Sequence, residues 1–448
     1  MDSEAKKEST NHGVCAIHVD IYGPGKNVVK SQIYKSMVHR APNTLTTIDK
    51  KEHSRKRRVL SHGFSDAALR NHEEAIIAQI QNFKLYAFQE TDPSQGEWSS
   101  ATNLAHWCDY LTFDIMANIV FGETYEMLKK AKYRYAIDAI EKSNVRISVL
   151  TQAPELSTWR LDRYLFTEAI KGRNMFIKFV NIVLRDRLKP TSAGRKDIFS
   201  LLIDAKDPET GKGFGMAELG AESTTLIVAG SDTSSTALAA LFFYLCTNPK
   251  VHTSVCKEVR QTFTGEDEIR MGAKLNSCLY LRACIDEAMR MSPPVGSALW
   301  REVSAPGVTV DNLSIAAGCD VGTGIYSIHH NAEYFSQPFK YLPERWLAEK
   351  PGAGWERIEA GQGAYAPFSY GPRGCIGKGL AIQELMLTMA IMIFSFDFRI
   401  AQGQESLSGG GGGKHQGWGR HRADEYQLYD HITGAKNGPL VEFRVRNV

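Results

Sequence analysis

Apolar residues recur at three- and four-residue intervals along most of the chain, the spacing that places side chains on one face of an α-helix. The segments with this spacing are 66–89, 104–121, 135–149, 165–188, 216–246, 249–263, 277–291 and 377–393. Strand-like patterns are shorter and lie late in the chain, at 308–315, 320–328, 396–401 and 440–445. The pattern predicts a mainly α fold with small β-sheets (α+β), assembled from distant segments.

The most apolar of these helical segments is interrupted by polar residues. The stretch TTLIVAGSDTSSTALAALFFYLC (224–246) contains seven Ser and Thr residues and one Asp, which favours a buried helix over a membrane span. Every residue from Gly230 to Ser235 is a poorer helix former than alanine, by up to about 1 kcal/mol each. Hydroxyls that bond to the preceding turn can open such a helix locally. The interruption is either a packing seam lined by hydroxyls or a site of chemistry.

Length and motif placement together predict the domain organisation. The 448 residues alone suggest two or three domains, but the motifs described below are spread over most of the chain and are expected to meet at one site. We therefore expect a single catalytic domain, 1–448, with a poorly ordered start at 1–20. The tract SGGGGGKHQGWGRHR lacks apolar periodicity and predicts a flexible glycine-rich loop, 405–424.

Composition and charge exclude several classes of function. The chain is 43% hydrophobic, and 53 Lys and Arg residues against 50 Asp and Glu residues give a net charge of +3, so bulk charge implies no nucleic-acid partner. Eight cysteines occur without a paired CxxC spacing, which indicates neither a zinc cluster nor a disulfide framework. Most of them are expected to be buried thiols in a reducing compartment.

One cysteine has unusual neighbours. In FSYGPRGCIGKG (368–379), Cys375 lies among four glycines, which permit tight turns and the close approach of a flat ligand. Helical periodicity resumes directly after Cys375, so the sulfur is expected just before a helix N-terminus, where free N–H groups favour a thiolate. The residues alone leave two interpretations open, a glycine-rich turn around a buried cysteine and a ligand site.

Two further motifs contain opposite charges. Glu287 and Arg290 lie three residues apart in the helical segment LYLRACIDEAMRMSPP, where such a pair by itself indicates a surface salt bridge. The stretch PERW (343–346) follows and contributes Arg345.

In combination these motifs resemble the cytochrome P450 family. The spacing Phe368-x-x-Gly371-x-Arg373-x-Cys375-x-Gly377 matches the family's haem-binding signature. Further motifs follow the family's order, at 53–57, 229–234, 287–290 and 343–346. The resemblance covers about residue 20 to the C-terminus, implies the cytochrome P450 fold, and is strongest to fungal microsomal members that act on polyketide, terpenoid or aromatic metabolites.

The resemblance implies haem b (heme b, iron protoporphyrin IX) as the cofactor and Cys375 as the axial ligand of its iron. The other cofactor-binding positions carried over from the family are Arg57, Arg301, Arg373, Phe368, His53 and Gly377. Phe368 would pack beside the sulfur, and the arginines would pair with the haem propionates. His53 stands where the family usually has tryptophan.

The resemblance also assigns structural and catalytic residues. Glu287, Arg290 and Arg345 would form a buried triad that supports the cysteine loop and is costly to break singly. Asp232 and Thr233 would be the catalytic pair that delivers protons to the oxygen site.

The implied activity is that of a haem-thiolate monooxygenase, which inserts one atom of O2 into a lipophilic small molecule by hydroxylation, epoxidation or desaturation. Electrons would come from NADPH through NADPH-cytochrome P450 reductase, with cytochrome b5 as an alternative donor. Two other hypotheses are a reductase-independent haem-thiolate isomerase and a non-catalytic, degenerate haem-binding paralogue. The basic run KKEHSRKRR (50–58) is interpreted as a docking surface for an acidic electron donor, in preference to a solvated helix or a nuclear signal.

The beginning of the chain differs from the family pattern. The polar start MDSEAKKESTNHGVCAIHVD contains neither a signal peptide nor a membrane span. Because DIYG is reached by residue 20, we expect an N-terminally shortened fold whose main sheet has an unpaired edge. The expected location is the cytoplasmic side, peripheral at the endoplasmic reticulum.

Overall fold

The computed structural model describes residues 16–88, 97–189, 197–347, 361–403, 409–412 and 419–446. Its α-helices are α1 (Ala16–Tyr22), α2 (Lys50–Ser61), α3 (Asp66–Asn71), α4 (Glu73–Ala87), α5 (Leu104–Phe121), α6 (Tyr135–Gln152), α7 (Glu155–Thr158), α8 (Asp162–Leu165), α9 (Thr167–Arg187), α10 (Ile198–Asp204), α11 (Met216–Thr247), α12 (Pro249–Thr262), α13 (Ala273–Asn276), α14 (Leu279–Met291), α15 (Ile325–His329) and α16 (Lys378–Ser395). Short 3₁₀ turns lie between them, two of which, Pro343–Trp346 and Gly371–Arg373, adjoin the site described below.

The strands form small antiparallel sheets. They are β1 (Val28–Lys30), β2 (Thr102–Asn103), β3 (Arg301–Val303), β4 (Val308–Val310), β5 (Leu313–Ile315), β6 (Asp320–Val321), β7 (Phe396–Ile400), β8 (Tyr429–His431), β9 (Thr433–Ala435) and β10 (Leu440–Val445). Two sheets have three strands each, in the orders β1-β3-β6 and β2-β10-β7, and the hairpins β4-β5 and β8-β9 complete the described set. Strand β1 lies at an edge of its sheet. The α+β class predicted from the sequence is confirmed.

The predicted helices agree closely with the observed ones, because their caps are encoded locally. The Asn103 side chain accepts a hydrogen bond from the Ala105 N–H at the start of α5, and Gly122 ends that helix with a left-handed φ of 66°. The predicted segment 66–89 is divided into α3 and α4 at His72.

One predicted strand is wrong. Residues 320–328 are extended only over β6, and α15 follows. A Cβ atom on Gly322 would lie 3.1 Å from the Ala298 side chain, so the chain is closely packed there, and Gly324 then caps α15. The polar and apolar alternation resembles a strand, but these glycines allow the chain to turn into a helix.

The core is built around α5 and α11. Leu111, Phe113, Leu238 and Phe242 are each at most 1% exposed and belong to the same hydrophobic cluster. The interrupted segment stays helical throughout α11, so the local opening predicted for it does not occur. The hydroxyls of Ser231, Thr233 and Thr236 do bond to carbonyls one turn back, yet the helix remains continuous.

Two described helices, α11 and α16, are long and apolar enough to cross a membrane. Their most apolar windows are 67% and 72% buried inside the protein, as in core helices. Of the predicted poorly ordered start, residues 1–15 lie outside the described residues, and α1 occupies the remainder. Of the predicted glycine-rich loop, residues 405–408 and 413–418 likewise lie outside them.

Candidate functional site

The loop that carries Cys375 is a closed turn of backbone. Gly371 has a φ of +71°, and a Cβ atom there would lie 2.0 Å from the Tyr22 carbonyl oxygen, so this position requires glycine. The Cys375 N–H donates to the Phe368 carbonyl at 2.8 Å, which joins the two ends of the loop. Gly377 is the N-cap of α16, so Cys375 lies two residues before the cap of the helix that the sequence predicted to follow it.

The Cys375 thiol is exposed on one side and surrounded by protein on the others. Desolvation raises its pKa, while N–H groups of Gly377 and Lys378 and the charges of Arg57 and Lys378 oppose that shift. The sequence predicted a thiolate favoured by the helix N-terminus, but desolvation is the larger effect in the protein alone. A bound metal ion would reverse this balance, because a coordinated thiol loses its proton.

Beside the cysteine loop lies a set of basic side chains that we call the cation cluster. Its members are Lys30, His53, Arg57, Arg301 and Arg373. Lys30, His53 and Arg301 are at most 5% exposed, and the other two are half-buried. Lys30 on β1 lies directly opposite Arg301 on β3, although like charges at such positions repel.

The hydrogen bonds of the cluster's arginines are made to backbone carbonyls. Arg57 donates to Gly374 at 2.6 Å, so it contacts the cysteine loop directly. Arg373 donates to Ile48 at 2.9 Å and Arg301 donates to Leu299 at 2.9 Å. Within the described ranges, no cluster member forms an ion pair with a carboxylate.

Burial and mutual repulsion are visible in the pKa values of the cluster. The pKa of His53 is lowered to about 3 by burial and by Arg373 and Arg57. The pKa of Arg373 is lowered to about 10 by burial and by the charge of Arg301. The pKa of Lys30 falls well below its usual value because of burial and the charges of Arg301 and Arg373. A ligand with two negative charges would relieve this repulsion, so the cluster fits a dianionic group next to the thiol.

A second group of charges is fully paired. Arg290 and Glu287 form two hydrogen bonds of 2.9 Å, both side chains are 0% exposed, and Arg345 Nε reaches the same carboxylate at 3.0 Å. The structure therefore brings the predicted triad together. The Trp346 indole N–H also donates to Glu287, at 3.0 Å, which sequence reasoning missed.

The triad connects to the cysteine loop through a residue that was not predicted. Arg290 donates to the His329 carbonyl at 2.7 Å, and the His329 ring accepts from the Ala366 N–H at 3.0 Å. Ala366 precedes Phe368 by two residues, at the start of the loop. The pair of histidines in SIHHNAEY was the available signal, but a buried histidine on a short helix has many structural roles.

On α11, the two predicted catalytic side chains have different surroundings. The Thr233 hydroxyl donates to the Ala229 carbonyl at 2.7 Å and is half-buried. Asp232 accepts hydrogen bonds from Asn144 at 3.3 Å and from Thr433. Desolvation raises the pKa of Asp232 to about 6, which permits proton exchange near neutral pH.

The helix with Thr233 is linked to the helix that follows Cys375. Ser234 donates to Glu384 on α16 at 3.0 Å, and both side chains are at most 3% exposed. Desolvation raises the pKa of Glu384 to about 8, so this acid is neutral at pH 7. The helix that carries Thr233 and the helix that follows Cys375 therefore share a buried hydrogen bond.

The basic run at 50–58 is not a uniformly free surface. Arg55 and Lys56 are buried, with Arg55 bonded to Glu218 at 2.9 Å and Lys56 Nζ 2.8 Å from the same residue. Arg58 pairs with Asp207 at 2.8 Å. Only part of the charge counted in the sequence is therefore available to a docking partner.

Comparisons with known proteins agree with this geometry. The sequence model of the family Cytochrome P450 matches residues 23–409. A cytochrome P450 monooxygenase of Gibberella zeae is 48% identical over 428 residues, which are 96% of this chain and 97% of the relative. The cytochrome P450 monooxygenase AKT7 of Alternaria alternata is 46% identical over 97% of this chain and 83% of that relative.

The chain belongs to the cytochrome P450 family. A crystal structure of the cytochrome P450DA heme domain shares its fold, with a TM-score of 0.72, 18% identity, and coverage of 94% of this chain and 84% of the other. The protein is accordingly a cytochrome P450 monooxygenase, an oxidoreductase that binds haem, acts on a small molecule and uses a redox partner.

The residues of this cytochrome P450 fit its cofactor. A thiol at a helix N-terminus is a suitable axial ligand for haem iron, and the unpaired cations suit two propionates. A Cβ atom on Gly377 would lie 3.9 Å from both the Cys375 sulfur and the Phe64 ring, an ordinary contact distance, so packing within the protein does not require glycine there.

Proposed function

We propose that this cytochrome P450 inserts one oxygen atom into a lipophilic small molecule of fungal secondary metabolism, of the polyketide, terpenoid or aromatic class. The product would be a hydroxylated, epoxidised or desaturated compound. Electrons come from NADPH through NADPH-cytochrome P450 reductase, with cytochrome b5 as an alternative donor. The enzyme acts on the cytoplasmic side of the endoplasmic reticulum. The relatives named above, cytochrome P450 monooxygenases of two fungi, support the monooxygenase activity in this proposal.

The observation that carries the proposal is the position of Cys375 beside cations that have no carboxylate partner among the described residues. Haem, when bound, supplies the redox chemistry that activates O2. In our assignment Cys375 is its axial ligand, and Arg57, Arg301 and Arg373, with His53, bind its propionate side. Phe368 packs beside the sulfur, where Cys375 is already fixed by the hydrogen bond from its N–H to the Phe368 carbonyl.

Thr233 and Asp232 handle protons in this proposal. The Thr233 hydroxyl is already bonded to a carbonyl of its own helix, so its oxygen keeps lone pairs free to accept a further hydrogen bond. Asp232 lies next to it in sequence, with a pKa near 6, and can exchange protons with water at physiological pH. The pair favours a monooxygenase over a peroxide-rearranging isomerase, which consumes no protons from solvent.

The test compares two threonines of the same helix. Thr233→Ala should keep haem binding and NADPH consumption but lower the product formed per NADPH about tenfold or more, with hydrogen peroxide released. Thr224 donates to the Gly220 carbonyl at 2.6 Å in the same way, so Thr224→Ala is the matched control and should leave coupling unchanged. Equal coupling in both variants would remove Thr233 from its role.

The first measurement is the spectrum of the reduced, carbon-monoxide-bound protein, which reports thiolate ligation by Cys375. A normal spectrum together with reductase-dependent turnover supports the monooxygenase. Turnover without reductase would identify an isomerase. A normal spectrum without any turnover, across candidate substrates and with a competent reductase, would identify a non-catalytic haem-binding protein.

A further inference from the structure

A solvent-open cleft lies behind α11, at the Asp232 position. It is bordered by α5, α6, α11 and the chain around β8 and β9. The charged and titratable residues that line it are His106 and Asp109 from α5, Asp138 and Glu141 from α6, Asp232 from α11, and His431 and Lys436 from the C-terminal hairpin region. This concentration of titratable groups around one catalytic acid is not explained by packing.

At the floor of the cleft, a buried lysine and an acid form an ion pair. Lys436 Nζ lies 2.6 Å from Asp109 Oδ1, and the Lys436 side chain is only 4% exposed. Ser235 joins the pair, because its hydroxyl donates to Asp109 at 2.6 Å and accepts from Lys436 at 2.9 Å. The same hydroxyl lies 3.0 Å from the Asp232 carbonyl, so its single proton is shared between two acceptors and connects the ion pair to the turn of α11 that carries Asp232.

The two members of the pair act on Asp232 in opposite directions. Burial has the largest effect on the pKa of Asp232 and raises it. The charge of Lys436 lowers this pKa, whereas the charges of Asp109 and Glu141 raise it. Burial opposes the charge of Lys436, but Asp109 and Asp232 together raise its pKa, so the lysine stays protonated. Lys436 is thus ion-paired with Asp109 and also lowers the pKa of Asp232 through its charge.

The polar lining of the cleft favours occupation by water. Asp138, Glu141 and His106 are exposed at its mouth, where they exchange protons with bulk solvent. His431 Nδ1 is buried and has no hydrogen-bond partner among the described residues, so water in the cleft is its natural partner. Water in the cleft would link these carboxylates and imidazoles into a route for protons from the surface to Asp232.

We propose that this cleft is the proton entrance of the enzyme, and that the Asp109–Lys436 ion pair is a positioning element that sets the protonation of Asp232. The inference rests on the proposed role of Asp232 in oxygen activation and extends it to residues outside the haem site. Asp109 and Lys436 act through Asp232 and do not touch the substrate.

The test uses two substitutions with opposite expected signs. Lys436→Met removes the attracting charge and should move the pKa of Asp232 up by about one unit, whereas Asp109→Asn should move it down by a similar amount. The pKa is read in the intact haem-bound enzyme from the infrared band of the protonated Asp232 carboxyl, which Asp232→Asn identifies by its loss. Lys436→Arg keeps the charge and is the matched control.

The second readout is the pH at which coupling of NADPH to product is half-maximal, which should follow the infrared pKa in each variant. A purely structural ion pair would give the same direction of change in both variants, or no change in pKa, and that result overturns the inference. If instead Asp232→Asn retains wild-type coupling, the proposed role of Asp232 fails even when the infrared shifts occur. The carbon-monoxide spectrum of each variant verifies that the haem site is folded.

Discussion

Two arginine-rich regions lie on either side of the cysteine loop, and they differ in how their charges are balanced. Around Glu287, every charge is paired, because two arginines share one carboxylate and the remaining donors of Arg290 reach backbone carbonyls. In the cation cluster, Arg57 and Arg373 donate only to carbonyls and have no carboxylate partner within the described residues.

The difference separates a structural role from a binding role for the same type of residue. A buried charge network that is complete within the protein is costly to break at one member and gains nothing from a ligand. A cluster of like charges is costly in the protein alone, and binding of a dianion recovers that cost. Charge pairing, and not the presence of arginine, is therefore the feature from which we assign the cation cluster to the propionates.

The largest expected effect comes from breaking the paired region. Glu287→Leu leaves Arg290 buried without its carboxylate and removes the acceptor of Arg345 and Trp346. We expect the free energy of unfolding to fall by about 3–5 kcal/mol, with loss of haem incorporation as a consequence. Urea unfolding measures the change. The exposed Glu333→Gln is the control and should change stability by less than about 0.5 kcal/mol; a similarly small effect at Glu287 would contradict a structural role.

The same kind of substitution in the cation cluster should have the opposite profile. Arg373→Met removes one repelling charge, so the haem-free protein should be as stable as the parent or more stable. Haem affinity should fall about tenfold to a hundredfold, the value of one or two charge-assisted hydrogen bonds. Haem titration and urea unfolding of the same sample distinguish these effects. Arg270→Met, at a surface pair with Glu74, should leave haem affinity unchanged.

Local periodicity predicted most of the helices, and the family resemblance supplied the triad and every member of the cation cluster except Lys30. The glycines around Cys375, the three-residue spacing of Glu287 and Arg290, and the polar interruption of α11 are all visible within a few neighbouring residues. The cap residues Asn103 and Gly122 are equally local, and the helix boundaries agree for the same reason.

What the sequence could not provide is contact between distant segments. Lys30 is an ordinary lysine until the pairing of β1 with β3 places it opposite Arg301. The sequence does not indicate a role for Lys436, because its ion pair with Asp109 exists only once the C-terminal hairpin region packs on α5. The run at 50–58 shows the reverse error, since Arg55 and Lys56 look exposed in sequence but are neutralised by acids of α11.

The smallest expected effect is that of His53 on the pH dependence of the free energy of unfolding. The pKa of His53 is near 3 in the folded protein and about 6.5 when unfolded, so the unfolded chain binds its proton first as pH falls. The stabilising contribution is complete above pH 6.5 and is lost below it, by up to about 1.4 kcal/mol per pH unit. Unfolding of the haem-free His53→Gln variant between pH 6.5 and 5 should therefore be less pH-dependent than that of the parent.

Bound propionates would offset the neighbouring arginines, so the two proteins should differ less with haem present. An equal difference with and without haem would show that burial alone, and not the unpaired cations, keeps His53 neutral.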